Sequence, residues 1–253
     1  MKPILNFPIL LFTISLAALW LAARAGWWFR RRLRPLDEAE WEDFNLIITA
    51  TLTLLGLLIG FSFSMAVSRY DQRKNLEEEE ANAIGTEYLR VDFLPVPNAE
   101  AIRQLLLKYL DQRLLFYTAI RDSSLPQINA ETEKLQSQLW SEVRAGASQQ
   151  STATVALAIS GMNDVLNSQG YTQAAWWNRI PRAAWILMIT IAFCSNMLVG
   201  YASRRSGAHI FWALPLALSV SFLLIADIES PRGGMIRVRP QNLISLSQSL
   251  KGQ

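Results

Sequence analysis

Catalytic chemistry has few starting points in this chain. His209 is its only histidine and Cys194 its only cysteine. Nucleophilic catalysis by Ser or Cys needs a positioned base, and a zinc site needs several nitrogen or sulfur ligands. One residue of each kind assembles neither. No phosphate-binding glycine loop, Gly-x-Ser-x-Gly elbow or His-Glu-x-x-His helix occurs either. The sequence therefore points away from an enzyme and indicates no catalytic, cofactor-binding or metal residue. Cys194 lies inside an apolar run and reads as a small hydrophobe.

Four other groups carry more information. Glu77, Glu78, Glu79 and Glu80 are consecutive. At about 100° per residue on a helix they point to all sides, so they do not converge on one metal ion. They read as a solvated face or, in an oligomer, as a ring of acids around an axis. Gly56, Gly60, Ser64 and Ser68 recur every four residues and form a stripe of small side chains on one helix face. Such a stripe lets a second helix approach closely, within one chain or between copies, or lines a pore. Ala213, Ala217 and Ser221 make a weaker stripe of the same kind. Arg69, Arg73 and Lys74 follow the first stripe, and basic groups at a pore mouth concentrate anions. In the tail stand Asp227, Glu229, Pro231 and Gly233. Those acids either hold a cation or cap a helix end and pair with Arg232, with Pro231 and the adjacent glycines making the turn.

Elements that cross a membrane must position these groups. About 20 apolar residues are needed for a spanning helix, because the hydrocarbon core is about 30 Å thick. Residues 4–23, 46–68, 183–202 and 210–226 qualify, and none of these stretches contains Asp, Glu, Lys or Arg. Tryptophans mark their ends: Trp27 and Trp28 before an arginine cluster, Trp41, the Trp176-Trp177 pair and Trp212. Trp favours the headgroup level, where its ring is in an apolar layer and its N–H meets water. Lys2 and Ala23-Arg24-Ala25 outline a signal peptide, but the apolar run is longer than a usual h-region and arginines follow it, so a retained helix is expected. With no ionisable group inside the runs there is no intramembrane proton relay. A passive pore needs none, nor does an anchored scaffold. The net charge of +3 gives no support to a nucleic-acid partner.

The domain reading follows. Residues 1–68 form a first transmembrane hairpin, 69–182 an extramembrane helical segment, 183–226 a second hairpin and 227–253 a polar C-terminal tail. No proline occurs between Pro35 and Pro95, so the second membrane helix continues past the bilayer; from Leu46 to Leu94 it would reach roughly 74 Å at about 1.5 Å per residue. Ala81, Ile84, Tyr88 and Val91 share a face of that extension. Asn98 is the expected N-cap of the next helix, Pro126 opens a third with Ile128, Leu135, Leu139 and Val143 inward, and Val155, Ile159, Met162 and Leu166 mark a fourth. The fold class expected is all-α: four transmembrane helices with a helical bundle built on the extension of the second. Short connections 24–45 and 203–208 carry seven Lys/Arg, against five in Lys2 and the tail, with five more near the ends of the long segment. Counted over short loops, this places the N-terminus outside the cytoplasm.

Several motifs together resemble a family. The arginine cluster is followed by Asp43-Phe44-Asn45 at the start of the second helix and by Tyr70 just after it. Next come Glu80-Ala81-Asn82-Ala83-Ile84-Gly85 with Tyr88-Leu89-Arg90, then Pro95 and Tyr109. After the last membrane helix stands Asp227-Ile228-Glu229-Ser230-Pro231-Arg232-Gly233-Gly234, then Ile236-Arg237-Val238. Across nearly the whole chain this resembles the bacterial bestrophin-like membrane proteins. Residues 63–73 are similar in outline to the segment where the pore helix of bestrophins leaves the membrane, although the Trp of that segment has no counterpart here. Bestrophins are pentameric anion channels. The resemblance implies a multi-pass protein of the bacterial inner membrane, a homo-oligomer and small anions as the permeating species, with the lipid bilayer as the other partner; the orientation it implies is opposite to that of the charge count. The alternative reading is a membrane-anchored interaction or sensor protein whose helical segment binds a partner.

Overall fold

A computed structural model describes residues 7–34, 36–119, 122–150, 152–203 and 210–252. His209 and Lys2 lie outside them. The described residues form helices α1 (Pro8–Arg32), α2 (Glu38–Arg90), α3 (Val96–Thr118), α4 (Leu125–Ala147), α5 (Ala153–Trp177), α6 (Arg182–Ala202), α7 (Ile210–Glu229) and α8 (Gln241–Lys251). There is no strand among them. Stretches long and apolar enough to cross a membrane fall within Pro8–Arg32, Glu38–Phe93, Ala153–Ala202 and Trp212–Glu229.

Two compact units divide the chain: residues 1–68 with 179–237, and residues 69–178 with 238–253. Helix α2 contributes residues to both and runs unbroken for 53 residues. Its start is set by reciprocal hydrogen bonds: Glu40 N–H donates to Asp37 Oδ1 at 2.8 Å, and Asp37 N–H donates to Glu40 Oε2 at 3.1 Å. This capping box satisfies N-terminal donors that have no partner within the helix.

In the first unit α1 packs on α6 and α7. Lipid tails are as apolar as leucine, so close packing rather than hydrophobic burial holds such helices together. The closest approach is at Gly26 and Gly200. A Cβ on Gly200 would lie 2.0 Å from the Ala23 carbonyl oxygen, and one on Gly26 would lie 1.9 Å from that of Met197. Buried Ala22 and Ala23 complete the contact. Trp20 stacks on Trp212, with ring centroids 5.4 Å apart. Arg24 and Arg31 lie over the Trp27 ring, Arg32 over Trp28 and Arg30 over Trp41. Arg30 also donates to the carbonyls of Tyr201 and Ala202 at 2.9 and 3.0 Å, which satisfies the C-terminal end of α6.

The second unit has a conventional core. Ile84, Ile102, Leu106, Leu110, Leu139, Met162 and Leu243 are all but completely buried, and each such side chain contributes about 1.5–3 kcal/mol by leaving water. Leu135, Leu139, Val143, Val155 and Met162 face inward as their spacing predicts, with Ile128, Ile159 and Leu166 packed at the margin. Pro126 lies in the first turn of α4. Asn98 is not a cap: α3 begins at Val96, with Pro97 in its first turn and Pro95 before it. A proline there removes a donor that would have needed capping. The tail departs further from expectation, because residues 241–251 form α8, whose Leu243, Leu246 and Leu250 join the core.

Candidate functional site

The apolar part of α2 has one seam turned into its own unit. Leu55, Ser62 and Ala66 are buried, and Ser62 Oγ lies 3.1 Å from Met188 Sδ of α6. At about 100° per residue, Gly60 and Ser64 fall roughly 140–180° from that seam. Gly56, Gly60, Ser64 and Ser68 are all exposed. A Cβ added at Gly56 or Gly60 would meet nothing within 4 Å. Among the described residues the stripe therefore makes no close helix contact; Gly26 and Gly200 do that. Phe61 and Phe63 flank the stripe and are exposed as well. The face is open, apolar and uncharged.

Of the three basic residues that follow, Lys74 is exposed and Arg69 half-buried. Arg73 is buried: its guanidinium donates to the carbonyls of Ala175 and Asn178, both at 3.2 Å, at the C-terminal end of α5. It serves as a helix cap there, where the sequence suggested a charge facing a mouth. The carbonyls at a helix C-terminus carry partial negative charge and have no partner within the helix, so a guanidinium is well suited to them.

Arg73 opens a buried row along α2 that continues through Glu77, Glu80, Ile84, Glu87 and, just past the helix end, Val91 at alternating spacings of four and three. Four of the six are charged. Glu77 accepts from Leu243 N–H at 2.9 Å and from Asn242 Nδ2 at 2.7 Å, so a carboxylate of α2 caps the N-terminus of α8. Glu80 pairs with Arg113 of α3 and also accepts from Tyr117 Oη at 3.1 Å and Thr172 Oγ1 at 3.2 Å. The Arg113 guanidinium lies over the Phe116 ring, and Phe116 and Tyr117 pack edge-on to Trp176. Burial alone would lower the Arg113 guanidinium, but Glu80 beside it holds it above its ordinary value. Burial and then the Glu80 charge push the Tyr117 hydroxyl up. Glu78 and Glu79 are exposed. Two of the four glutamates thus tie helices together, and two face outward.

The tail motif is an anchor in the first unit. Asp227 is buried, and its two carboxylate oxygens accept from the backbone N–H groups of Met235 and Ile236 at 2.7 and 2.8 Å. Glu229 Oε2 accepts from Ile180 N–H at 2.7 Å. Pro231 is buried and Gly233 exposed. The sterically required glycine is Gly234, where a Cβ would lie 2.3 Å from the Asp227 carbonyl oxygen. Among the described residues no group of three or more His, Cys, Asp or Glu could hold a metal ion. Sequence reasoning missed Arg113, Glu87, Gly26 and Gly200, whose partners lie far away in the chain.

A bestrophin-like domain model matches residues 16–243. The fold is similar to that of a bacterial bestrophin homologue from Klebsiella pneumoniae. One single-substitution variant of that protein matches with a TM-score of 0.67 at 16% identity, covering 100% of both chains. A second structure of it matches with a TM-score of 0.65 at 17% identity, covering 96% of this chain and 97% of that one. No curated protein matches the sequence. With its membrane-spanning stretches, its helical second unit and a domain match over nine-tenths of its length, the chain belongs to the bestrophin-like family.

Proposed function

We propose that copies of this chain assemble around an axis lined by the apolar part of α2 and form a passive pore for small anions in the bacterial inner membrane. The observation that carries this reading is the open Gly56, Gly60, Ser64 face, turned away from the seam that α2 buries against its own chain. A neck of glycine, serine and phenylalanine without fixed charge gates by dewetting and selects by size and by charges at its ends. Within two turns of Ser68, Arg69 and Lys74 supply a positive field that favours anions, and exposed Glu78 and Glu79 oppose it further along. Bestrophins are anion channels, which supports the same choice.

The charge count over short connections supports an extracytoplasmic N-terminus and an extracytoplasmic second unit. Ser148, exposed at the end of α4, reports on this when replaced by Cys. A membrane-impermeant thiol reagent labels it on intact cells if the reading holds; an expressed, accessible site that stays unlabelled reverses the orientation.

The test of function is chloride flux from liposomes carrying the purified protein. Wild type should pass chloride, and Arg69→Glu should reduce anion preference. Absence of flux for chloride and larger anions at every voltage and pH would favour an anchored interaction protein. Cation conduction indifferent to Arg69→Glu would mean that another surface lines the pore. The mass of the complex in detergent separates a closed ring from a monomer.

A further inference from the structure

Three of the charged residues in the buried row of α2 have their valences filled: Arg73 by α5 carbonyls, Glu77 by the start of α8, and Glu80 by Arg113, Tyr117 and Thr172. Glu87 is the exception. Its side chain is completely buried, and among the described residues neither Oε1 nor Oε2 has a hydrogen-bond partner. It lies against α5 at Gly161, where a Cβ would come 2.0 Å from Glu87 Oε2 and 2.9 Å from Arg90 Nη1. A side chain at that position would displace the carboxyl from where it lies.

The charges facing Glu87 are few. Arg90, one turn on along α2, favours the carboxylate; Asp164, one turn on along α5, opposes it. From α3, Arg103 reaches this end of α2 but pairs with Asp92 and lies over the Tyr88 ring. A buried carboxylate without hydrogen bonds is costly, so the neutral acid is the form that suits this packing. Burial pushes the Glu87 carboxyl up to about 8, against the smaller opposing pull of Arg90.

We infer that the Glu87–Gly161 contact is a proton-dependent latch between α2 and α5, closed by a proton on Glu87 and loosened as that proton is withdrawn. The sign follows from linkage. Opening hydrates the carboxyl and returns it to ordinary carboxylate behaviour, so the closed state holds more protons than the open one between the ordinary value of 4.5 and about 8. The closed state is favoured fully below that window, weakens as pH rises through it and levels off above. Loosening is confined to the N-terminal half of α5, because Thr172 is tied to Glu80 and the C-terminal end is tied to Arg73. If the chain forms the pore proposed above, this is a regulatory input outside its membrane-spanning stretches.

Hydrogen exchange on the full-length protein in lipid nanodiscs tests this, after correction for the intrinsic pH dependence of exchange. The opening constant for amides of residues 153–164 in wild type should rise up to about tenfold per pH unit between about pH 5 and pH 8, then level off. Residues 165–177 should not follow. Glu87→Gln, which keeps the neutral shape, should abolish the pH dependence of residues 153–164. An unchanged dependence in Glu87→Gln, or flat behaviour in wild type, overturns the latch. Should Glu87→Gln fail to fold, infrared spectroscopy of wild type decides: an un-ionised carboxylic acid band at neutral pH that fades through about pH 8 supports the latch, and its absence at neutral pH overturns it.

Discussion

The apolar and polar parts of α2 reverse the usual placement of side chains. Before residue 69 the helix turns glycine, serine and phenylalanine outward and buries a narrow seam of Leu55, Ser62 and Ala66. After it, the helix turns arginine and glutamate inward and leaves Glu78 and Glu79 in solvent. The difference comes from the surroundings. In lipid, exposed apolar groups cost nothing, and what matters is which surface a neighbour can approach. In the second unit a hydrophobic core already supplies the burial, and the charged groups fix which helix end meets which. Each tie joins a formal charge to a specific complement: a helix C-terminus, a helix N-terminus and a guanidinium.

The sharpest way to break this comparison is at the buried ion pair. Arg113→Met leaves Glu80 as an unpaired buried charge and should cost about 3–5 kcal/mol in chemical unfolding of the purified protein. Adding Glu80→Leu should recover much of that loss, because a well-packed apolar replacement is close to neutral. A single mutant as stable as wild type would remove the pair from the account. Next in size is Glu77→Ala, which takes away charge-assisted hydrogen bonds to α8, worth about 1.5–3 kcal/mol each. Exchange protection of residues 241–251 should then collapse while that of α3 persists; uniform loss would make α8 part of the global core.

The glycines test the membrane half. Gly200→Ala places a Cβ against the Ala23 carbonyl and should destabilise the first unit by about 1–3 kcal/mol. Gly60→Ala adds a Cβ with no packing neighbour within 4 Å among the described residues and should stabilise the helix slightly, since glycine inside a helix costs about 0.5–1 kcal/mol relative to alanine. Gly60→Leu should leave the single chain folded and disturb only its assembly, read as complex mass in detergent. Unchanged assembly in Gly60→Leu would show that this face looks at lipid. A similarly small effect belongs to Thr152, whose Oγ1 accepts from Val155 N–H at 3.3 Å at the start of α5. Thr152→Ala should cost about 1 kcal/mol, seen as a lowered thermal midpoint.

Much of the fold could be read from the residues because its signals are local. Runs free of charge gave the membrane helices, and the spacing of Leu135, Leu139 and Val143 showed the inward face of α4; Trp176, which reads as a marker of a membrane end, lies instead in the core of the second unit. What escaped depends on partners distant in sequence. Glu77 reads as solvated until α8 supplies Asn242 and Leu243, 165 and 166 residues away. Helix α8 itself reads as polar tail, because only Leu243, Leu246 and Leu250 give it an apolar face and its N-terminus is capped from another helix. The Gly56–Gly60 spacing announces close packing as loudly as any in the chain, yet the glycines pressed against another helix of the same chain are Gly26 and Gly200, each unremarked by a repeat of glycines. Arg73 was legible as a charge near the membrane; its engagement with the end of α5 was not, since carbonyl acceptors leave no mark in composition.

The central claim is that the open face of α2 lines a conducting path. Its most direct test is current through reconstituted protein carrying Ser64→Cys or Ser62→Cys, each combined with Cys194→Ser. Both variants should conduct before treatment. A water-soluble thiol reagent should block Ser64→Cys and leave Ser62→Cys unchanged, because Ser62 is buried against Met188 while Ser64 belongs to the open stripe. Block at Ser62→Cys with none at Ser64→Cys, or no current from any form of the protein, would contradict the account.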